Sequence, residues 1–334
     1  MLRVYSRYNT CLVPSEIVID GVSRPAWPDT PLPWIDLLNP TVAEDRYVED
    51  NTGVSIPTRE EMQEIEASSR LYQENGAQFM TISALSQLES DSPNLSPMTF
   101  VLSGSTLVTV RYSEPKPLMH FATRVQRPGA VQCGNGEQVM MSLLEALIDR
   151  IADTLERVGT KIDSISRQVF RDRVNGEKTS AGKVLQSTII DLGRQGELLS
   201  MVRESLISIN RVLTYHTAII EDDKKALKEA RTRIRTVQRD VSSLTEHTGY
   251  LSGKVTFLLD AMLGMINLEQ NQIIKIFSIA SVCLMPPTLI ASIYGMNFKA
   301  MPELNWSVGY PLAILGMVIS AILPFLYFRK KGWL

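Results

Sequence analysis

The chain has 334 residues, and its 34 Lys and Arg nearly balance its 36 Asp and Glu, which gives a formal net charge of −2. This balance excludes the bulk basicity typical of nucleic-acid-binding proteins, so we expect no nucleic-acid partner. Cys11, Cys133 and Cys283 are far apart, so neither a disulfide framework nor a thiolate metal site is indicated. The start of the chain lacks the apolar core of a secretory signal, and we expect the large N-terminal part to be cytosolic.

Residues 1–130 have the pattern of an α+β domain. Short β-branched or aromatic runs between turn-forming residues predict strands at 34–37, 79–85, 98–102 and 106–111. Pro57 and the acidic residues after it indicate the start of a helix. We therefore expect a mixed sheet with covering helices in a cytosolic domain.

Residues 131–221 form a predicted helical region. Apolar residues recur at spacings of three and four over about 137–168 and again over about 179–220, which predicts two amphipathic helices. The turn signal Asn175-Gly176 separates them.

Residues 222–273 are predicted to form a stalk helix. A further, mostly apolar series with strict 3,4 spacing predicts that this helix packs along a seam. The seam residues are Ile234, Val237, Val241, Leu244, Thr248, Leu251, Val255, Leu258, Met262 and Met265. No proline occurs before Pro286, so one helix is expected from about Asp222 to Tyr294, roughly 110 Å long at 1.5 Å per residue.

Two uncharged stretches, 276–298 and 304–328, each exceed the ~20 residues that span a bilayer. We predict a transmembrane pore helix at 274–297, an extracytoplasmic loop at 298–306, a second transmembrane helix at 307–328 and a basic cytosolic tail at 329–334. The tail carries Arg329, Lys330 and Lys331, whereas the loop has Lys299 against Glu303. The positive-inside rule then places both termini in the cytoplasm.

A mostly small or polar heptad series runs along the lower part of the same long helix. It comprises Asp260, Gly264, Asn267, Asn271, Ile274, Ser278, Ser281, Met285, Thr288, Ser292 and Gly295. A lone membrane helix would turn these hydroxyls and amides to lipid, so the series indicates either several copies surrounding water or tight helix packing. Its first polar members precede the span, where a symmetric ring of oxygens would gather cations at a pore mouth. Two spans cannot enclose a conduit alone, so the pore interpretation requires a homo-oligomer.

The first span contains Pro286-Pro287 and ends in Tyr294-Gly295-Met296-Asn297. The prolines free backbone carbonyls for neighbours or water, or simply kink the helix. Glycine permits a non-helical exit, and the asparagine amide offers an uncharged oxygen. A ring of such groups suits Mg²⁺, which loses its water reluctantly, although Gly-x-Asn is also an ordinary helix C-cap.

The run Tyr294-Gly295-Met296-Asn297, followed by Met301-Pro302-Glu303-Leu304, closely resembles the signature of the CorA family of magnesium channels. The resemblance extends to NQIIKIF at 271–277, PPTL at 286–289 and YFRKKGWL at 327–334, and more loosely to REEMQEIEASSR at 59–70. It implies a funnel-shaped homopentamer in which the stalk helix continues into the pore helix and the second span lies outside it. It also implies passive uptake of hydrated Mg²⁺, and of Co²⁺ and Ni²⁺, across a bacterial inner membrane, with no cofactor and with closure by cytosolic Mg²⁺.

The resemblance assigns roles to individual residues. It implies a selectivity filter of Gly295, Met296 and Asn297, and a hydrophobic gate of Ile274 and Phe277. Asn297 and Asp260 would contact the metal through its hydration shell. The resemblance also implies that Asn271, Met285 and Thr288 line the pore and that Asp260 forms an acidic ring at its cytosolic mouth. The heptad series adds Asn267, Ser278, Ser281 and Ser292 as expected pore-lining residues. The regulatory metal site stays unknown. Its candidates are Glu221-Asp222-Asp223 and Asp240, but acids at a helix start are also ordinary, because they interact favourably with the helix dipole.

Two alternatives remain open at this stage. One is a zinc transporter of the same superfamily, with or without proton coupling, which Met296 disfavours. The other is a membrane-anchored coiled-coil scaffold that would use the seam. His120, His216 and His247 share no ligand spacing, and no phosphate loop or nucleophile motif is present, so we expect no zinc centre and no enzyme.

Overall fold

The computed structural model describes residues 1–19, 25–88, 92–129, 133–171, 181–220, 227–297, 301–302 and 306–333. The elements in chain order are β1 (Leu2–Tyr8), β2 (Cys11–Ile17), β3 (Trp34–Leu38), α1 (Val42–Thr52), α2 (Arg59–Gln63), α3 (Ala67–Arg70), β4 (Leu71–Glu74), β5 (Ala77–Ser86), β6 (Asn94–Ser103), β7 (Thr106–Arg111), α4 (Lys116–Arg124), α5 (Gly136–Arg171), α6 (Ala181–Ile220), α7 (Leu227–Tyr294) and α8 (Gly309–Lys330). The predicted turn at Asn175-Gly176 and the predicted helix start at Asp222 lie outside the described residues.

The strands form one seven-stranded sheet in the order β2-β1-β3-β7-β6-β5-β4. Only the β3–β7 pair is parallel among these neighbours, so the predicted mixed sheet is confirmed. The proline-led helix is also present as α2, where Thr58 is the N-cap and forms a capping box with Glu61.

A buried ion pair links β3 and β7, the parallel strands of the sheet. Arg111 on β7 donates from Nε to Asp36 Oδ1 at 3.0 Å and from Nη2 to Asp36 Oδ2 at 2.8 Å. Their side chains are 4% and 3% exposed. Burial lowers the pKa of Arg111, but the hydrogen bonds and charge of Asp36 raise it more, so the guanidinium stays charged.

The first residue of the long helix α5 lies in close contact with the sheet. Gly136 N donates to Ser105 O at 2.6 Å, and a Cβ on Gly136 would lie 2.5 Å from the backbone nitrogen of Leu107. Only glycine fits there. The buried His216 of α6 forms hydrogen bonds with Gln78 at 2.9 Å and with Glu137 at 3.4 Å, so this histidine is a core residue.

The upper part of the predicted seam on α7 packs against α5 and α6 of the same chain. Leu251 and Val255 are 3% and 4% exposed. A Cβ on Gly159 of α5 would lie 3.7 Å from Leu251, and one on Gly196 of α6 would lie 3.6 Å from Val255. Two ion pairs tie α7 to α5: Arg233 with Glu145 at 2.6 Å, and Lys254 with Asp163.

The chain divides into two compact units, Met1–Phe257 and Leu258–Leu334. Helix α7 has 68 residues and is therefore about 100 Å long. It ends at Tyr294, as predicted. Among the described residues, two helical segments are long and apolar enough to cross a membrane: Ala230–Tyr294 within α7, and Gly309–Lys330, which is α8.

Candidate functional site

One face of α7 is covered within the second unit. Ile279 is 4% exposed, and Cys283, Pro286, Pro287 and Ile290 are half-buried. The half-buried positions of α8 include the small residues Gly309, Ala313, Gly316, Ser320 and Ala321. Because α8 is the other helix of this unit, this is the side of α7 that α8 covers.

The polar heptad series lies on the opposite side of α7, about 150° around the helix at 3.6 residues per turn. All the predicted pore-lining residues are exposed in the single chain: Asp260, Asn267, Asn271, Ser278, Ser281, Met285, Thr288 and Ser292. The contact between the two spans therefore does not use this series. From Asp260 to Ser292 it extends about 50 Å along the axis.

The hydroxyl groups in the series have a defined orientation. Ser281 Oγ donates to Phe277 O at 2.9 Å. Thr288 Oγ1 donates to Met285 O at 3.0 Å and also contacts Leu284 O. Because these hydroxyl hydrogens are used on the helix backbone, the oxygens present lone pairs outward as acceptors.

The predicted hydrophobic gate residues are also exposed. Ile274 is 61% exposed and lies within the polar face, whereas Phe277 is 67% exposed and lies at its edge. Both are large apolar side chains without cover in the single chain, so a copy of the chain or lipid must cover them.

The helix opens where the glycine-methionine-asparagine run begins. Gly295 N donates to Ala291 O at 3.0 Å, Met296 N donates to Ile293 O at 3.2 Å, and Asn297 follows in non-helical, exposed backbone. A Cβ on Gly295 would meet Ala291 O at 3.1 Å, so this exit turn is tight. Lys299 and Glu303 in the predicted loop 298–306 lie outside the described residues.

The structure adds little to the predicted regulatory site. Glu221-Asp222-Asp223 lies outside the described residues, and Asp240 is exposed. Partial burial of Asp149 is the largest cause that raises its pKa, and the charge of Asp240 is one of several acidic charges that raise it further. Among the described residues, no group of three or more His, Cys, Asp or Glu is placed to hold a metal ion. The sequence interpretation also gave no role to Lys275, whose ammonium group lies over the Trp333 ring.

Comparison with known proteins shows which family this chain resembles. The family model described as CorA-like Mg²⁺ transporter protein matches residues 31–330. The magnesium transport protein CorA of Yersinia pseudotuberculosis is 35% identical over 302 residues, which cover 90% of this chain and 92% of that protein. The complete structure of the CorA magnesium transporter from Methanocaldococcus jannaschii covers 100% of this chain and 99% of its own, with a TM-score of 0.75 and 18% identity.

A more distant likeness concerns the soluble part. The cytoplasmic domain of ZntB from Vibrio parahaemolyticus has a TM-score of 0.57 and 12% identity, and covers 79% of this chain and 97% of its own. At that identity the likeness shows the fold alone. The family-model match over nearly the full length, together with the 35% identical relative, shows that this chain is a membrane protein of the CorA-like Mg²⁺ transporter family.

Proposed function

We propose that this chain is one subunit of a homopentameric channel for the passive uptake of hydrated divalent cations, chiefly Mg²⁺. The main support for this proposal is the exposed polar face of α7. This face lies opposite the side of α7 that α8 covers, and it ends in Gly295-Met296-Asn297. Several copies arranged around water would satisfy these polar groups, which lipid would not. The magnesium transport named for the 35% identical relatives supports the choice of ion.

The chemistry of the polar face fits an ion that keeps its water. Waters around a cation turn their oxygens to the metal and their hydrogens outward, so a pore wall must accept hydrogen bonds. The hydroxyl oxygens of Ser281 and Thr288 and the amide oxygen of Asn297 are such acceptors. Outer-sphere contacts of this kind discriminate weakly among ions of similar hydrated size, so Co²⁺ and Ni²⁺ would also pass. Gly295, Met296 and Asn297 would form the filter, with Asp260 as an acidic ring at the opposite mouth.

The direction of transport follows from the expected topology. We assign both termini and the basic tail to the cytoplasm of a bacterial cell, with α7 and α8 in the inner membrane. An inside-negative potential contributes about 4.6 kcal/mol per 100 mV to the entry of a doubly charged ion. No coupled energy source is then required.

We further propose that cytosolic Mg²⁺ closes the pore and that Ile274 and Phe277 form the dry constriction. For the domains we propose the boundaries predicted from the sequence. These are a cytosolic domain at 1–130, a helical region at 131–221, a stalk at 222–273, spans at 274–297 and 307–328, a loop at 298–306 and a tail at 329–334. The regulatory site itself stays unassigned.

Two other functions compete with this one. A zinc transporter of the same superfamily would share the fold, and the likeness to the ZntB domain supports only the fold. A coiled-coil scaffold would need a free seam, yet residues such as Ile234, Val241 and Val255 are buried within the chain. That burial weighs against the scaffold.

The test is transport by the purified full chain in liposomes loaded with a Mg²⁺-sensitive dye. We expect Mg²⁺ entry that is indifferent to an imposed proton gradient, and slower entry of Co²⁺ and Ni²⁺. Entry of Zn²⁺ alone, strengthened by the proton gradient, would support the zinc transporter instead. No metal entry from an intact oligomer would support the scaffold.

Asn297→Ala tests the filter directly. We expect it to abolish Mg²⁺ entry while the oligomer stays intact in size-exclusion chromatography, because the amide oxygen at the exit is lost. Asn94→Ala, the same change at an exposed position on β6, is the matched control and should transport normally. Wild-type flux through Asn297→Ala would refute the assignment of the filter.

A further inference from the structure

The basic tail begins in the last turn of α8, and the residues that follow the helix are folded into a defined turn. Gly332 has φ +70°, its N–H donates to Arg329 O at 3.1 Å, and Trp333 N donates to Phe328 O at 3.1 Å. These two bonds and the left-handed glycine form a Schellman motif, which closes the helix end. The Trp333 ring stacks on Phe328 with centroids 5.4 Å apart, which is the apolar contact that accompanies such motifs. The backbone of α8 therefore fixes the position of the indole ring.

Two ammonium groups from different helices share this fixed ring. Lys275 Nζ of α7 lies 5.5 Å from the Trp333 centroid, and Lys331 Nζ lies 5.7 Å from it. Lys331 Nζ is also 5.5 Å from the Tyr327 centroid. Cation–π contacts hold both lysines in place without neutralising them.

The site has a net positive charge. Arg329 and Lys330 lie in the last turn of α8 and are exposed. Over the described ranges, neither they nor Lys275 and Lys331 form an ion pair with a carboxylate. The preceding acid on α7, Glu269, is about 9 Å away along the helix axis. Aromatic packing holds Lys275 and Lys331 together, and Arg329 and Lys330 precede Lys331 directly in the chain, so the like charges gathered here leave room for an anion.

The surroundings of this cluster are those of a membrane interface. Lys275 directly precedes the uncharged stretch of α7, and Arg329 directly follows that of α8. Lys275 lies about 90° around α7 from the centre of the polar face, on the side toward α8, so the cluster is separate from the proposed pore lining. Leu323 and Leu326, which lie within two helical turns before Arg329 on α8, are 65% and 54% exposed and apolar.

We propose that Lys275, Arg329, Lys330 and Lys331, with Trp333 between them, bind the phosphodiester headgroup of an anionic phospholipid. The lysine and arginine N–H groups bond the phosphate oxygens, and Tyr327 and Trp333 lie at the headgroup level that amphipathic aromatic rings favour. The acyl chains cover the exposed leucines of α8. A free phosphate ion gains nothing from those apolar side chains, which is why a lipid fits better. The assignment is independent of which ion the protein transports.

Native mass spectrometry of the purified full chain, titrated in detergent with phosphatidylglycerol or phosphatidylcholine, tests this site. We expect the wild-type oligomer to retain phosphatidylglycerol preferentially. The double variant Lys275→Gln/Lys331→Gln should lower that preference about 30-fold, since each lysine near the headgroups contributes about a fivefold factor. Lys275→Arg/Lys331→Arg should retain it, and the charge-matched control Lys161→Gln/Arg194→Gln, which changes exposed cations of α5 and α6, should behave as wild type.

The same spectra report whether each oligomer is intact, so loss of lipid is separated from loss of assembly. Unchanged preference in the intact double glutamine variant would overturn the proposal, as would an equal loss in the control. Displacement of phosphatidylglycerol by millimolar inorganic phosphate would assign the site to a soluble anion instead and would overturn the lipid assignment.

Discussion

Ile274→Ser tests the proposed apolar constriction. Ile274 is 61% exposed in the single chain, and fully burying an isoleucine side chain stabilises a protein by about 1.5–3 kcal/mol. Closing the pore around this side chain would therefore contribute up to about 1–2 kcal/mol per subunit, or about 5–9 kcal/mol for five copies. Serine removes most of that contribution. Because a tenfold shift needs only about 1.4 kcal/mol, we expect at least a tenfold rise in resting Mg²⁺ leak.

The assay is dye-detected Mg²⁺ entry into liposomes with high internal Mg²⁺, a condition in which the wild-type pore should be closed. The matched control is Ile276→Ser, the same substitution two positions along α7, where the side chain is 53% exposed but lies on the side opposite the polar face. We expect no leak from the control. Equal leak from both variants, or none from Ile274→Ser, would refute the assignment of the constriction.

Two further predictions concern the soluble unit. Asp36→Asn leaves the buried guanidinium of Arg111 without its partner and should cost about 3–5 kcal/mol of unfolding free energy, measured by denaturant titration; Asp36→Leu/Arg111→Met should recover most of it. Burial, followed by the charges of Glu49 and Glu44, raises the pKa of Asp45 to about 6 from 3.8, so the folded state loses stability as the pH rises through that range. Asp45→Asn should therefore raise the melting temperature at pH 8, with a gain that shrinks below pH 6 and disappears near pH 4; a gain of equal size at every pH would contradict the titration.

The long elements could be predicted because their patterns repeat many times. Helices α5, α6, α7 and α8 follow the periodicity or the apolar length of their segments, and β3, β5, β6 and β7 follow β-branched and aromatic runs. The hairpin of β1 and β2 was not predicted. Its second strand contains Pro14, which argues against a central strand, and it is tolerated because β2 is at the sheet edge.

Contacts between distant residues are the part that sequence patterns could not supply. The Asp36–Arg111 pair depends on β3 lying beside β7, which strand order alone decides. The heptad spacing correctly put the polar series on one face of α7, but only the packing of α8 shows that this face is left uncovered. Likewise, Lys275 and Trp333 meet because the Schellman turn at Gly332 directs the indole toward α7.

Thr288→Val separates the two original interpretations of the polar face, water-filled pore or helix packing. Valine keeps the shape of threonine but has no oxygen to accept a hydrogen bond. The Thr288 hydroxyl already donates to Met285 O, so acceptance is what it offers to an ion's outward-facing water hydrogens. Losing an acceptor worth about 0.5–1.5 kcal/mol from each subunit of the proposed pentamer should reduce Mg²⁺ flux at least tenfold.

Thr288→Ser, which keeps the oxygen, should conduct as wild type and shows that the hydroxyl, and not the methyl group, is responsible. If Thr288→Val also conducts normally, the hydroxyl at this position does not contact the hydrated ion. A packing contact between subunits would then explain Thr288, because valine keeps the β-branched shape that such a contact uses. The two variants thus distinguish a water-filled pore from helix packing by the presence or absence of one hydroxyl oxygen. The backbone of α7 sets the orientation of that oxygen.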